Sequence, residues 1–364
     1  MIKKYLNYLL VYGMLLAFQL PVFSFQDQHS EVTVQKKKIS LLDHFTAISE
    51  VLEVTLKMDF KTLVKNKYSE NYHPADFSYR DEDQNIQNYE IKVRPRGKLR
   101  RKRCAIPPLK LKFRKKDLTA KGFKKHNTFK LVQYCEKGKY GEELVLREYL
   151  AYKIFNLITE NSFRVHLAKI KYVDTTHRRR SFSRYGFLIE DKKEMAKRLE
   201  GKICECVNQP LDSLHEDQYQ KVALFNYMIG NTDWRLDLVH NLKLLRKDND
   251  EKLWLIPYDF DFSGLVDADY AIPSPDYKIK SVRQRHYRGY RYDNPIFKKV
   301  EIIFLEKETA IKELIKNYKN PNHASQRWIK KYVAEFYRIL KTEKKKQKYL
   351  VPDRIKKKKT LGKK

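Results

Sequence analysis

The chain has 364 residues, 42% hydrophobic and 13% aromatic, which is enough apolar material for a sizeable core and excludes disorder of the whole. Its formal net charge is +32, and from Leu340 onward eleven Lys and one Arg face only Glu343 and Asp353, so the tail carries +10 and the body is basic as well. Such a field attracts nucleotide phosphates, nucleic acid or an anionic membrane surface, and the charge alone does not choose among them.

Residues 1–24 read as an export signal or, if uncleaved, a membrane anchor. Lys3 and Lys4 precede the mostly apolar run Tyr5 to Phe25, with small residues near a cleavage point after Ser24. Either outcome places the body outside the cytosol, in the periplasm, at the cell surface or secreted. No Cys follows the cleavage point, so a lipoprotein anchor is not indicated. Residues 25–50 are expected to be a linker. The alternation from Leu52 to Phe60 predicts a half-buried strand, and a strand pair is expected over Asp76 to Val93, split by "RDEDQNIQN". "PPLKLKF" places Leu109, Leu111 and Phe113 on one face and Lys110 and Lys112 on the other.

Gly141 to Thr159 is the strongest early helix, apolar nearly all round and therefore buried. Glu148 falls on its apolar surface, and a carboxylate there needs a partner. Strands at Val165 to Asp174 and Arg184 to Glu190, joined by "TTHRRRSF", precede a helix at "DKKEMAKRL". A second helix, Glu216 to Ile229, ends at Gly230, a suitable glycine for the position after a helix. Short strands follow at Asn241 to Leu245 and Leu253 to Pro257, and residues from Asn294 to Leu340 read as helices. The four cysteines suit an oxidising compartment. Cys104–Cys135 is the favoured bridge, because Cys204 and Cys206 are too close in sequence for a comfortable one. Zinc is disfavoured, since no C-x-x-C with a matching His pair occurs.

"GNTDWRLDLVHNLKLL", residues 230–245, and "DFDFSG", residues 259–264, concentrate carboxylates beside the most apolar strands. A calcium loop of the EF-hand kind fails, because its twelfth position would be Tyr270 rather than Glu. Turn chemistry accounts for Asn231 and Asp233 but not for Asp259 and Asp261 directly after an apolar strand. Phosphoryl transfer accounts for more. It needs a carboxylate at the acceptor hydroxyl and an Asn and an Asp holding metal on the nucleotide phosphates, along a helix–loop–strand–turn–strand–loop run. That run is present here in that order.

With "IKVRPRGKLRR", "PPLKLKF", "LVLREYLAYKIF", "YGFLIE", "GNTDW…HN" and "PYDFDFSG" in this order between Asn88 and Gly264, the chain resembles the spore-coat-protein CotH family of secreted atypical protein kinases. The likeness to HipA-type kinases is looser. The resemblance implies an α+β, two-lobed protein-kinase-like fold. A strand-rich N-lobe with one buried helix would span residues 51–190, a mainly helical C-lobe residues 191–340, and a Lys-rich tail residues 341–364. It also implies ATP and Mg²⁺ or Mn²⁺ as cofactors and a protein substrate. Asp233 then matches the catalytic carboxylate, and Asn241 and Asp259 match metal ligands, with Asp261 a further ligand or a turn cap.

Arg96, Gly97 and Arg101 match a basic phosphate loop in place of a glycine-rich one, and Lys110 or Lys112 the strand lysine that contacts phosphate. Glu148 would be the helix partner of that lysine, with Arg147 its rival. Asp233 and Asn241 stand eight residues apart where kinase catalytic loops use five, which leaves Asp237 as a competing base. His240 reads as a packing residue, with general base as the alternative. A monomer is expected, with an anionic membrane surface as a second partner. A non-catalytic nucleotide binder and a basic polyanion-binding module are the alternatives. Nucleic acid is not the expected partner, since the Tyr and Arg of "RGYRYDNP" do not stand out in a chain with 25 Tyr.

Overall fold

The computed structural model describes residues 38–352 apart from 98, 136–137 and 319–321. The expected signal or anchor, residues 1–24, and the last twelve residues of the expected tail lie outside the described residues. Among the described residues no helix is long and apolar enough to cross a membrane.

Seven strands form a closed barrel: β1 Val51–Met58, β2 His73–Arg80, β3 Ile86–Pro95, β4 Leu109–Phe113, β5 Thr128–Gln133, β6 Val165–Asp174 and β7 Phe182–Ile189, in the order β1-β2-β3-β4-β5-β7-β6. Neighbours are antiparallel except at the closure, where β1 runs parallel to β6 from Val51↔Leu167 to Met58↔Asp174. This overturns the expected fold class. Period-2 alternation gives each strand an apolar face, but an open kinase-like sheet would leave β1 and β6 as edges. Here those edges pair with each other, and closure removes both.

The barrel interior holds Leu52, Val54, Leu56 and Met58 from β1, Tyr89, Ile91 and Val93 from β3, and Leu109, Leu111 and Phe113 from β4. Helix α1 Leu41–Ile48 sends Phe45 into this core, where its ring meets Tyr79 at 5.0 Å and Phe77 at 6.1 Å. A capping box starts α1: Ser40 Oγ accepts from the Asp43 N–H, and Asp43 accepts from the Ser40 N–H. This helix lies within the segment 25–50 read as a linker. Short helices α2 Phe60–Lys65, α3 Leu99–Arg103 and α4 Lys115–Ala120 connect barrel strands.

Helix α5 Gly138–Ile158 covers the outside of β5, β6 and β7. Val132, Leu167, Phe187 and Ile189 therefore face it, and these strands are apolar on both faces. Beyond it lie α6 Lys192–Arg198, a separate three-stranded sheet in the order β10-β9-β8, and helix α7 Glu216–Ile229. The sheet strands are β8 Gly201–Cys204, β9 Leu242–Lys247 and β10 Leu253–Pro257. Helices α8 Pro295–Glu306, α9 Glu308–Asn317, α10 His323–Leu340 and α11 Glu343–Tyr349 complete the second core. Cys104–Cys135 is bonded as expected, with Cα atoms 4.7 Å apart. Cys204–Cys206 is bonded too, against expectation, because the chain bends enough after β8 to hold the Cα atoms 5.2 Å apart.

Candidate functional site

Helix α7 ends where Gly230 takes a left-handed conformation (φ +66°). A Cβ there would lie 2.1 Å from the Tyr332 hydroxyl, so only glycine fits without displacing that ring. Asn231 then accepts from the Asp233 N–H at 2.9 Å. Next, Arg235 and His240 exchange backbone hydrogen bonds of 3.1 and 2.9 Å, which pinches residues 236–239 into a tip. Asn241, itself left-handed (φ +54°), returns its Nδ2 to the Asp233 carbonyl at 2.7 Å and to Asp233 Oδ2 at 2.9 Å. The eight-residue spacing is thus absorbed by the small ladder, and Asp233 and Asn241 are neighbours.

Asp237 sits on the exposed tip. Its carboxylate accepts from Arg235 Nε at 3.2 Å, and that hydrogen bond holds it below the usual carboxylate range. His240, expected as a packing residue, is half-exposed, with Nε2 3.0 Å from Asp233 Oδ1.

The second half of the site begins where the Tyr258 N–H donates to the Asn241 carbonyl at 3.0 Å. The Asp259 N–H donates to the buried Tyr152 hydroxyl at 2.8 Å, in a left-handed conformation (φ +66°) that is strained for a residue with a side chain. Among the described residues, no group donates a hydrogen bond to the Asp259 carboxylate. Phe260 turns into the core against Tyr152 and Phe225. Asp261 is buried, and its Oδ2 accepts from Arg100 Nε at 2.9 Å and from the Tyr270 hydroxyl at 3.1 Å. Gly264 N–H to Gly230 O (3.1 Å) and Leu265 N–H to Ile229 O (2.8 Å) tie this loop to the end of α7.

The basic side comes from the barrel. Arg94, Lys110 and Lys130 are directly opposite one another across β3, β4 and β5, so they share the outer face. Lys130 Nζ lies 4.3 Å from the Tyr258 ring and 5.7 Å from that of Phe163. Burial lowers its pKa to about 7, nearby Arg96 adds to the drop, and Asp259 opposes it. Lys130 was not a sequence candidate. Lys110 also falls below the ordinary lysine range through burial, with Asp191 opposing. Lys112 is exposed above the Tyr72 ring at 5.3 Å.

The expected phosphate loop continues into α3, where Arg101 donates to Gly97 O and Glu70, both at 3.0 Å. Arg100, also missed, points inward and joins Glu148 Oε2 (2.5 Å) to Asp261. Glu148 therefore does have a cationic partner, but it is Arg100 and not Lys110 or Lys112. Burial raises the Glu148 pKa against Arg100's opposition, and its buried Oε1 has no hydrogen-bond partner. Burial works against the Arg100 charge, yet Asp261 and Glu148 outweigh it and hold the guanidinium protonated. Arg147, the rival of Glu148, instead bonds Glu143, Ser325 and the Val266 carbonyl.

Among the described residues no group of three or more His, Cys, Asp or Glu is arranged as a metal centre. A divalent cation on nucleotide phosphates needs fewer protein ligands, and they should be hard oxygens. Asp259 fits, because its carboxylate accepts no protein hydrogen bond, and so does Asn241, whose Nδ2 is committed to Asp233 and leaves Oδ1 to coordinate. Asp261, expected as a further ligand, has Oδ2 engaged by Arg100 and Tyr270.

No known family profile matches the chain, and no curated protein sequence does. Among solved structures it is similar to the crystal structure of the Helicobacter pylori proinflammatory kinase CtkA. The identity is 10% and the TM-score 0.36, over 58% of this chain and 86% of that one. A likeness at that score carries no argument about fold or activity.

Proposed function

We propose that the chain is an ATP- and divalent-metal-dependent phosphotransferase acting on protein hydroxyls outside the cytosol. One observation carries the reading: Asp233 is fixed by Asn241, and Asn241 is in turn tied to the segment that presents the uncommitted Asp259 carboxylate. Two left-handed residues, Asn241 and Asp259, hold this arrangement, and such strain collects at functional sites. Two disulfides support an oxidising location.

In this reading Asp233 orients the acceptor hydroxyl and takes its proton as the oxygen attacks the terminal phosphorus. The bond to the leaving diphosphate breaks, and ADP departs. Asn241 and His240 keep the Asp233 carboxylate in one orientation. Lys130 and Arg96 supply positive charge for the phosphates, and Asp259 and Asn241 would hold the metal. That metal, when bound, neutralises charge on the phosphates.

The test is transfer of labelled γ-phosphate to a generic acidic or basic protein and to the chain itself. Asp233→Asn should lower transfer about 10²-fold or more while ATP affinity stays within a few-fold, the usual scale for a positioned acid–base group. Asp237→Asn should transfer like the parent. The opposite pattern would move the base to the tip of the loop. Nucleotide binding with no transfer under any metal would replace the enzyme with a nucleotide-binding regulator.

A further inference from the structure

A second basic feature lies on the barrel exterior. A cavity of about 600 Å³ is lined by eight lysines and one carboxylate, Asp191. Several elements supply them: Lys110 from β4, Lys115 from α4, Lys124 and Lys125 from the segment before β5, and Lys193 and Lys197 from α6. Lys192 is the exception, because it pairs with Glu205 at 2.5 Å. Among the described residues the other seven make no ion pair. Asp191 is already used within the fold, accepting from Thr128 Oγ1 and capping α6 through the Lys193 N–H at 2.8 Å.

Seven ammonium groups without an ion pair, around one concavity with a single carboxylate, repel one another, and an anion in the cavity would relieve all of them together. The volume suits a small ligand. The donor set narrows its class. Lysine is a compact point charge, whereas planar carboxylates are favoured by the arginine fork, and no Arg lines the cavity. The lining offers little for stacked bases as well, since Phe123 belongs to the barrel core and His126 is the one remaining ring.

We propose that this lysine basin binds a compact polyphosphorylated anion, either free or as a lipid headgroup. The basin borders the Asp233–Asp259 cluster: its Lys110 pairs in register with Lys130, and its Asp191 acts electrostatically on Lys130. The lysines farther along the basin, Lys124, Lys193 and Lys197, have no part in the proposed transfer site and are the ones to change.

Calorimetry on the full chain tests this with inorganic tripolyphosphate against inorganic monophosphate. The wild type should bind tripolyphosphate at least tenfold more tightly. A triple variant, Lys124→Glu, Lys193→Glu and Lys197→Glu, should lose at least tenfold in that affinity with its melting temperature retained. A control triple, Lys330→Glu, Lys331→Glu and Lys344→Glu, makes the same net charge change on exposed helical positions and should lose less than threefold. Cosedimentation with cardiolipin vesicles, whose headgroup carries two phosphates, assigns the source. Binding displaced by tripolyphosphate and lost in the basin triple indicates a lipid headgroup, and no vesicle binding indicates a soluble ligand. Equal losses in both triples, no preference over monophosphate, or tighter binding of a single-stranded oligonucleotide at the same lysines would each overturn the proposal.

Discussion

Asp259 and Asp261 are two residues apart and lie in opposite worlds. Asp261 is buried, bonded to Arg100 and Tyr270, and joined through Arg100 to Glu148 on α5. Asp259 is half-buried, accepts no hydrogen bond from the described residues, and has Lys130 and Arg96 in its surroundings. The contrast separates two uses of a carboxylate. A buried acid whose hydrogen bonds are supplied by the protein holds elements together, here α3, α5 and the loop after β10. An acid held in a strained backbone conformation without such partners is available to something from outside.

The largest effect should come from breaking the buried side. Arg100→Ala leaves two carboxylates in a water-poor place with no cation, and loss of one partner of a buried ion pair costs about 3–5 kcal/mol. Denaturant titration would show it as a lower midpoint. A loss under about 1 kcal/mol would mean that Glu148 and Asp261 do not depend on Arg100.

A smaller effect sharpens the open side. The folded-state pKa of Lys130 is about 7 against 10.5 for a free lysine, so between these values the unfolded chain binds more protons. The Lys130 contribution to stability therefore rises with pH across that window and is most unfavourable below it. Lys130→Met should raise the melting temperature by a few degrees at pH 6, with the gain gone by pH 10 to 11. A gain independent of pH would show that the ammonium is not buried as described.

Much of the local structure was legible in the sequence because its signals are local. The helix over Glu216–Ile229 and the strands Val165–Asp174 and Leu253–Pro257 follow from periodicity and a terminal glycine. Barrel closure was not legible. It depends on a parallel pairing between β1 and β6, more than a hundred residues apart, which no local pattern encodes. For Glu148 the need for a partner was visible on the helix face. The partner was not, because four of the five residues of α3 are basic and only packing selects Arg100. Lys130 was missed for a related reason: in "TFKLVQ" it looks like the solvent face of a strand, and the rings that enclose it come from Phe163 and Tyr258.

The most direct measurement of the central claim is the thermal shift produced by ATP with Mg²⁺ or Mn²⁺ on the full chain carrying Lys124→Glu, Lys193→Glu and Lys197→Glu, so that phosphate binding at the lysine basin does not add to it. Stabilisation should appear only when nucleotide and metal are both present. It should vanish in Asp259→Ala and persist in Asp237→Asn, whose carboxylate is on the exposed tip with Arg235. A shift that survives Asp259→Ala would contradict the account, because the one uncommitted carboxylate of the pair would then have no part in holding the metal.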